Sequence, residues 1–262
     1  MRSLEERLSL KDRHVLVTGA SSGIGRHFAG HFARCGARVS AVARRIDRLT
    51  ALAAELNGAG GRVRTGPCDM MDEASMQKAL DEAAAAFGPV DVLVNNAGIS
   101  VVKPALEMDS KSWRDVIDTN LNGLWIMSQL AARALIAAKK PGSIINIASV
   151  IGLRTFPGVA PYAASKLAVI ALTRNLAVEW ADHGIRINAI VPGMFETELG
   201  GSYKNTNTER RQAMINIRVP MKRMGEHDEL DGIMSLLASD AGSYMTGSVI
   251  AVDGGLSVNA VG

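Results

Sequence analysis

The chain reads as an α/β protein: one domain on a doubly wound, parallel, seven-stranded sheet with helices on both faces. Three observations predict this. Short apolar runs alternate with longer helical patterns along all 262 residues. The short runs are continuously apolar, as strands are when both faces of a sheet are covered. No linker, low-complexity segment or repeat divides the chain, so the alternation continues as one parallel sheet.

The elements follow in order. His14 to Thr18 is the first strand, and a glycine-rich turn leads into a helix over Gly23 to Cys35. Arg38 to Val42 is the second strand, with a helix over Asp47 to Asn57. Arg62 to Thr65 and Val90 to Val94 are strands on either side of a helix from Glu73 to Phe87. Ser112 to Lys139 reads as one long helix and Ser143 to Ala148 as the fifth strand. Pro161, suited to a first helical position, opens a helix to Ala181. Ile185 to Val191 is the sixth strand. Glu209 to Ile217 and Asp228 to Ser239 are helical, and Ser248 to Val252 closes the sheet. Gly193 to Thr208 is the least regular stretch, rich in Gly, Asn and Thr. Ligands bind beyond the carboxyl ends of strands in such sheets, and this stretch follows such an end. A substrate lid around residues 193–217 is expected there, with a plain surface loop as the alternative.

Composition narrows the function. Hydrophobic residues make up 47 %, enough for a substantial core, and 26 glycines imply many tight turns. Aromatic residues are only 4 %, too few for base-stacking platforms. The net charge of +3 is mild and spread along the chain, which gives nucleic-acid or membrane binding little support. Cys35 and Cys68 have no CxxC partner or metal-ligand cluster nearby, so reduced thiols and no metal are expected. Met1 to Leu10 is charged and lacks the apolar core of a secretory signal. No apolar run reaches the roughly 18 residues of a membrane span. A cytoplasmic protein is the expectation.

The turn after the first strand reads Thr18-Gly19-Ala20-Ser21-Ser22-Gly23-Ile24-Gly25. Glycines there allow a tight turn and let backbone approach a pyrophosphate resting on the helix N-terminus. No GK[ST] follows, so a P-loop is excluded. At the end of the second strand an acid would accept from the ribose 2′-hydroxyl of NAD, whereas Arg suits the 2′-phosphate of NADP. This chain has Ala43 followed by Arg44 and Arg45. Bidentate guanidinium–phosphate pairing favours NADP(H) over NAD(H). The plainer alternative is that both arginines cap an exposed loop.

Tyr162 and Lys166 stand four residues apart, on one face of their helix. A free tyrosine titrates about 3 units, or about 4 kcal/mol, above a useful acid or base. A unit charge about 4 Å away at an effective dielectric of about 20 supplies about 4 kcal/mol. With three Tyr and 29 Lys plus Arg in the chain, the spacing alone is weak evidence.

Together these residues resemble the short-chain dehydrogenase/reductase family over nearly the whole chain. The glycine turn matches the family's TGxxxGxG, and Asn95-Asn96-Ala97-Gly98 its NNAG. Ser149, thirteen residues before Tyr162, has the family's spacing. Thr246-Gly247 and Asp253-Gly254-Gly255 match its C-terminal pattern. The resemblance implies a Rossmann-type dinucleotide site. Gly19, Ser21, Ser22, Gly23, Ile24 and Gly25 would hold the pyrophosphate, with Arg44 and Arg45 beside the adenosine ribose. Asp69, with Met70, would lie at the adenine. Asn96, Ala97 and Gly98 would form the floor. Pro192, Gly193 and Thr197 would close over the nicotinamide.

It further implies hydride transfer between NADP(H) and a carbonyl or secondary alcohol. Ser149 would orient the substrate oxygen. Tyr162 would exchange its proton, and Lys166 would lower the tyrosine's pKa and hold the nicotinamide ribose. Asn120 would hold a water in the proton path. The expected substrate wall is Val150, Ile151, Leu153, Phe156, Met194 and Phe195, with Arg154 either solvated, the favoured reading, or meeting an anionic substrate group. Pro220 to Gly225 is similar to a segment of 3-oxoacyl-thioester reductases and of gluconate 5-dehydrogenase-like enzymes. Ketone reduction is the leading expectation. The alternatives are a sugar-acid or polyol dehydrogenase and a non-catalytic NADP-binding regulator. Helices Ser112–Lys139 and Pro161–Ala181 are apolar on more than one face, so a partner is expected. The resemblance implies a homotetramer or a dimer.

One measurement separates the two readings of the arginine pair. The kcat/KM for NADPH should exceed that for NADH on any accepted ketone, and equal values would leave Arg44 and Arg45 as loop caps.

Overall fold

In a computed structural model, which describes residues 2–200 and 208–259, the seven strands form one sheet of order β3-β2-β1-β4-β5-β6-β7. They are β1 His14–Thr18, β2 Arg38–Ala43, β3 Arg62–Pro67, β4 Val92–Asn95, β5 Gly142–Ile147, β6 Ile185–Pro192 and β7 Val249–Val252. Every pairing is parallel. β1 lies between β2 and β4, so the chain reverses its winding there, at the switch point where such sheets bind ligands.

The helices are α1 Leu4–Leu8, α2 Gly23–Arg34, α3 Ile46–Gly58, α4 Glu73–Phe87, α5 Ser110–Ile117, α6 Gly123–Ala137, α7 Ala160–Glu179, α8 Thr208–Arg218 and α9 Asp231–Ala238. Consecutive residues of β1 point to opposite faces, which is why an unbroken apolar run is required. Val15 and Val17 pack with Phe28 and Phe32 of α2, Leu49 and Leu52 of α3 and Met234 of α9. Leu16 packs on the other face with Met76 of α4, Met127 of α6 and Leu176 of α7.

Ahead of β1, Ser3 and Glu6 form a reciprocal capping box that starts α1. One element needs correcting: the long helix Ser112–Lys139 is not continuous. A π-helical turn over Asp118–Asn122 separates α5 from α6. The cause is tertiary, because Asn120 leaves the helix surface to hydrogen-bond the backbone of Ile99. Such turns are frequent at functional sites.

Behind the switch point β4, β5, α6 and α7 are joined by buried amides and hydroxyls. Asn95 Nδ2 donates to Ser128 Oγ at 2.8 Å and to Asn146 Oδ1 at 2.9 Å, and Asn146 Nδ2 donates to Thr173 Oγ1 at 3.0 Å. These bonds hold the helices carrying Asn120, Tyr162 and Lys166 to the strands that end at the cleft.

α6 begins against the floor of that cleft. Gly123 has ordinary helical dihedrals, yet a Cβ there would lie 2.2 Å from the Met70 carbonyl oxygen. Gly123→Ala should therefore lose about 1–3 kcal/mol in urea unfolding, as overpacking does, whereas unchanged stability would show that Met70 yields freely.

Candidate active site

The site starts with how β1 ends. Thr18 Oγ1 accepts from the backbone N–H groups of Asn96 at 3.0 Å and Ala97 at 3.1 Å. Asn96 Nδ2 donates back to the Thr18 carbonyl at 3.0 Å and the Gly19 carbonyl at 3.3 Å. The ends of β1 and β4 are thus clasped, and the chain passes into α2 through a turn. Gly19 has φ +68°, the left-handed region that favours glycine. A Cβ on Gly25 would lie 2.3 Å from Asn96 Nδ2 and 2.5 Å from the Gly19 carbonyl oxygen. The turn is thus a cradle that side chains would fill, open at the N-terminus of α2.

A cleft of about 690 Å³ runs across this cradle. Gly19, Ser21, Ser22, Gly23, Ile24 and Gly25 line it at the turn, and Arg44, Arg45, Asp69 and Met70 at one end. Asn96, Ala97 and Gly98 lie along it, with Ser149, Tyr162 and Lys166 at the other end and Pro192, Gly193 and Thr197 beside them. Every expected cofactor residue therefore lines one cavity. The donor set suits a phosphorylated dinucleotide, with glycine backbone in the cradle and two arginines and two serine hydroxyls at the adenosine end. Arg45 itself donates to Ser22 Oγ at 2.7 Å and to Ser21 Oγ at 3.0 Å.

Asn120 does not line the cleft. It is fully buried beneath it. Its carboxamide accepts from the Ile99 N–H at 2.8 Å and donates to the Ile99 carbonyl at 2.9 Å and to Ser165 Oγ at 3.2 Å. The side chain expected to hold a water is committed to bracing the strand-end loop against α7.

At the reacting end, Ser149 ends the segment after β5 and is hydrogen-bonded to Tyr162. Burial pushes the Tyr162 hydroxyl above its usual value, and the Ser149 bond pulls the other way. Lys166 is 4 % exposed and donates to the Ile147 carbonyl at 2.7 Å. Its ammonium lies 5.7 Å from the centre of the Tyr162 ring. Burial lowers Lys166 to about 8. In this geometry the Lys166 ammonium is turned toward β5.

A second cavity of about 200 Å³ adjoins the first and also touches Ser149 and Tyr162. Val150, Ile151, Phe156, Met194 and Phe195 line it as expected. Leu153 does not; it is 46 % exposed on the surface. Arg154 lines neither cavity. Sequence reasoning missed Arg211 of α8 and Met224, which complete the wall. No local signal marks them, since only the tertiary fold brings them into one lining with Ser149 and Tyr162. Among the described residues no group of His, Cys, Asp and Glu could hold a metal. No helix of the described residues is long and apolar enough to cross a membrane.

A family model described as Enoyl-(Acyl carrier protein) reductase matches residues 19–257. The chain belongs to the short-chain dehydrogenase/reductase family. Among members of this family, D-threitol dehydrogenase of Mycolicibacterium smegmatis is 36 % identical over 98 % of the chain and 97 % of its own length. A 3-oxoacyl-[acyl-carrier-protein] reductase of Thermotoga maritima is 36 % identical over 96 % of the chain and 100 % of its own. The crystal structure of a gluconate 5-dehydrogenase from Burkholderia cenocepacia, in complex with NADP and tartrate, superposes with a TM-score of 0.91. It is 36 % identical and covers 97 % of this chain and 98 % of its own. Like these short-chain dehydrogenases and reductases, the protein is an oxidoreductase of CH–OH and C=O groups.

Burying Lys166 leaves a signature in stability. Its folded pKa of about 8 is below the unfolded value of about 10.4, so between these values the unfolded chain binds more protons. This lysine therefore destabilises the fold most below pH about 8, and that loss is relieved as pH rises toward 10. Lys166→Met should unfold at an equal or higher temperature than the parent at pH 7, with the difference shifting in the parent's favour by pH 10. A difference independent of pH would show that the lysine is not desolvated.

Proposed function

We propose that the protein uses NADP(H) to interconvert a ketone and a secondary alcohol, with ketone reduction the favoured direction. The observation that carries this reading is the meeting of the two cavities at the Ser149–Tyr162 hydrogen bond. A substrate oxygen placed there would contact both hydroxyls.

The glycine turn, Arg44, Arg45, Ser21 and Ser22 would hold the dinucleotide, which supplies hydride exchange when bound. Ser149 orients the substrate oxygen and stabilises charge developing on it. Tyr162 gives that oxygen its proton in reduction and takes it back in oxidation. Lys166, charged below pH about 8, favours the tyrosinate when its ammonium turns from Ile147 toward the phenol. Asn120 positions the loop after β4 and the N-terminal part of α7 rather than touching substrate. The segment around residues 193–217 would act as the substrate lid, although 201–207 lie outside the described residues. In support, Thr197 lies against the glycine turn, with its Cβ 3.5 Å from where a Cβ on Gly23 would be. Three polar groups matched to this chemistry, Ser149, Tyr162 and Lys166, argue against a non-catalytic regulator.

A second reading, dehydrogenation of a sugar acid or polyol, is favoured by Arg211. It places a cation, beside Met224 and with Glu196 also in the lining, in a substrate cavity where it would meet an anionic group. The gluconate 5-dehydrogenase and D-threitol dehydrogenase relatives support the same direction. A cytoplasmic location fits the free thiols of Cys35 and Cys68. A homotetramer or dimer would cover Trp113, Leu167 and Val178, large apolar side chains exposed on α5 and α7.

A panel of ketones, keto acids, oxoacyl thioesters and sugar acids with both cofactors would locate the substrate class. Within it, Tyr162→Phe should cut kcat by about 10²–10⁴-fold while NADPH affinity, read by fluorescence titration, stays within a few-fold. Retained turnover would remove Tyr162 from the role of acid.

A further inference from the structure

Glu198 spans the mouth of the cofactor cleft. It begins the short 3₁₀ turn Glu198–Gly200, directly after Thr197. One carboxylate oxygen receives Arg45 Nη1 at 2.8 Å, and the other receives Arg48 Nη1 at 2.5 Å. Arg45 is the residue before α3, and Arg48 lies in its first turn. The bridge therefore ties the segment following β6 to the loop following β2, two strand ends on opposite sides of the switch point.

The position of the bridge gives it meaning. Arg45 is at the same time the donor to Ser21 Oγ and Ser22 Oγ, so its guanidinium lies within the adenosine-end donor set. Glu198, Arg44 and Arg45 line the same cavity. A carboxylate and a phosphate monoester present similar oxygen pairs to a guanidinium, so both compete for one fork.

We propose that Glu198 is a lid-borne counter-anion that competes with the cofactor's 2′-phosphate for Arg45, and so helps set discrimination between NADP(H) and NAD(H). The inference rests on the assignment of Arg44 and Arg45 to that phosphate. A 2′-phosphate carries about 1.5–2 negative charges and takes Arg45 from a singly charged carboxylate. NAD(H) offers a neutral hydroxyl there and leaves the bridge in place. Cofactor identity is thereby coupled to the segment following β6, because the exchange releases Glu198 from Arg45. Hydrogen bonds from Arg45 and Arg48 hold the Glu198 carboxyl down to about 2, so it stays charged throughout the working pH range. Both ion pairs are largely solvated, and a modest competition is expected.

The test is direct binding, with no substrate present. NADPH and NADH are titrated by nicotinamide fluorescence into the parent protein, Glu198→Gln and Glu198→Asp, with thermal unfolding to check folding. Glu198→Gln should bind NADPH about three- to fivefold more tightly and NADH within about twofold of the parent. Glu198→Asp, which keeps the charge, should stay close to the parent. Unchanged or weaker NADPH binding in Glu198→Gln, or equal tightening of both cofactors, would overturn the proposal. Cofactor preference tests the underlying assignment separately. If the parent and Glu198→Gln both bind the two cofactors equally, Arg44 and Arg45 are not the phosphate site and the competition falls with it. A parent preference for NADPH that Glu198→Gln leaves unaltered sinks the competition alone.

Discussion

The clasp between Thr18 and Asn96 is the constraint on which the rest depends. Neighbouring parallel strands would normally continue their ladder until a loop parts them. Here one hydroxyl takes two backbone N–H groups of the next strand end, and one amide returns two bonds to the glycine turn. The end of β1 is thereby fixed relative to β4, and the chain must turn within the space left. That space admits glycine at positions 19 and 25, and glycine backbone is what makes a cradle accessible to a large anion. The cleft follows from the clasp, because its floor and one wall are the clasped segments themselves.

The reacting end obeys a different constraint, the cost of burying charge. Lys166 is nearly inaccessible and its ammonium is met by a backbone carbonyl. A neutral acceptor compensates a buried cation only in part, so its pKa falls to about 8. Tyr162 suffers the opposite displacement for the same reason. A polarised pair that is poorly solvated is costly to the fold and useful to chemistry, because small movements of the ammonium change the tyrosine strongly. The polar network behind it, from Asn95 to Thr173, keeps the two supporting helices in place while that cost is borne.

The strands were legible because each must be apolar on both faces, and that demand leaves an unbroken run of residues. The glycine turn, the NNAG segment and the Ser–Tyr–Lys spacing were legible for a similar reason: each is local, and its geometry is set within a few residues. The π turn at Asn120 was not, since an amide that bonds a distant backbone looks the same in sequence as one facing solvent. Leu153 failed as a wall residue because apolar character does not say which way a loop faces. Arg211 and Glu198 were invisible as site residues because their partners lie far away in the chain.

By itself, then, the sequence determined the architecture, the family and the identity of most residues around the cleft, because these rest on periodicity and short-range geometry. The tertiary structure alone decided that Asn120 braces rather than lines the site, that Lys166 faces β5, and that an acid from the segment after β6 meets the arginines after β2. Those facts depend on which groups the fold brings together and how much water it removes from them, and neither quantity is written in any local stretch of chain.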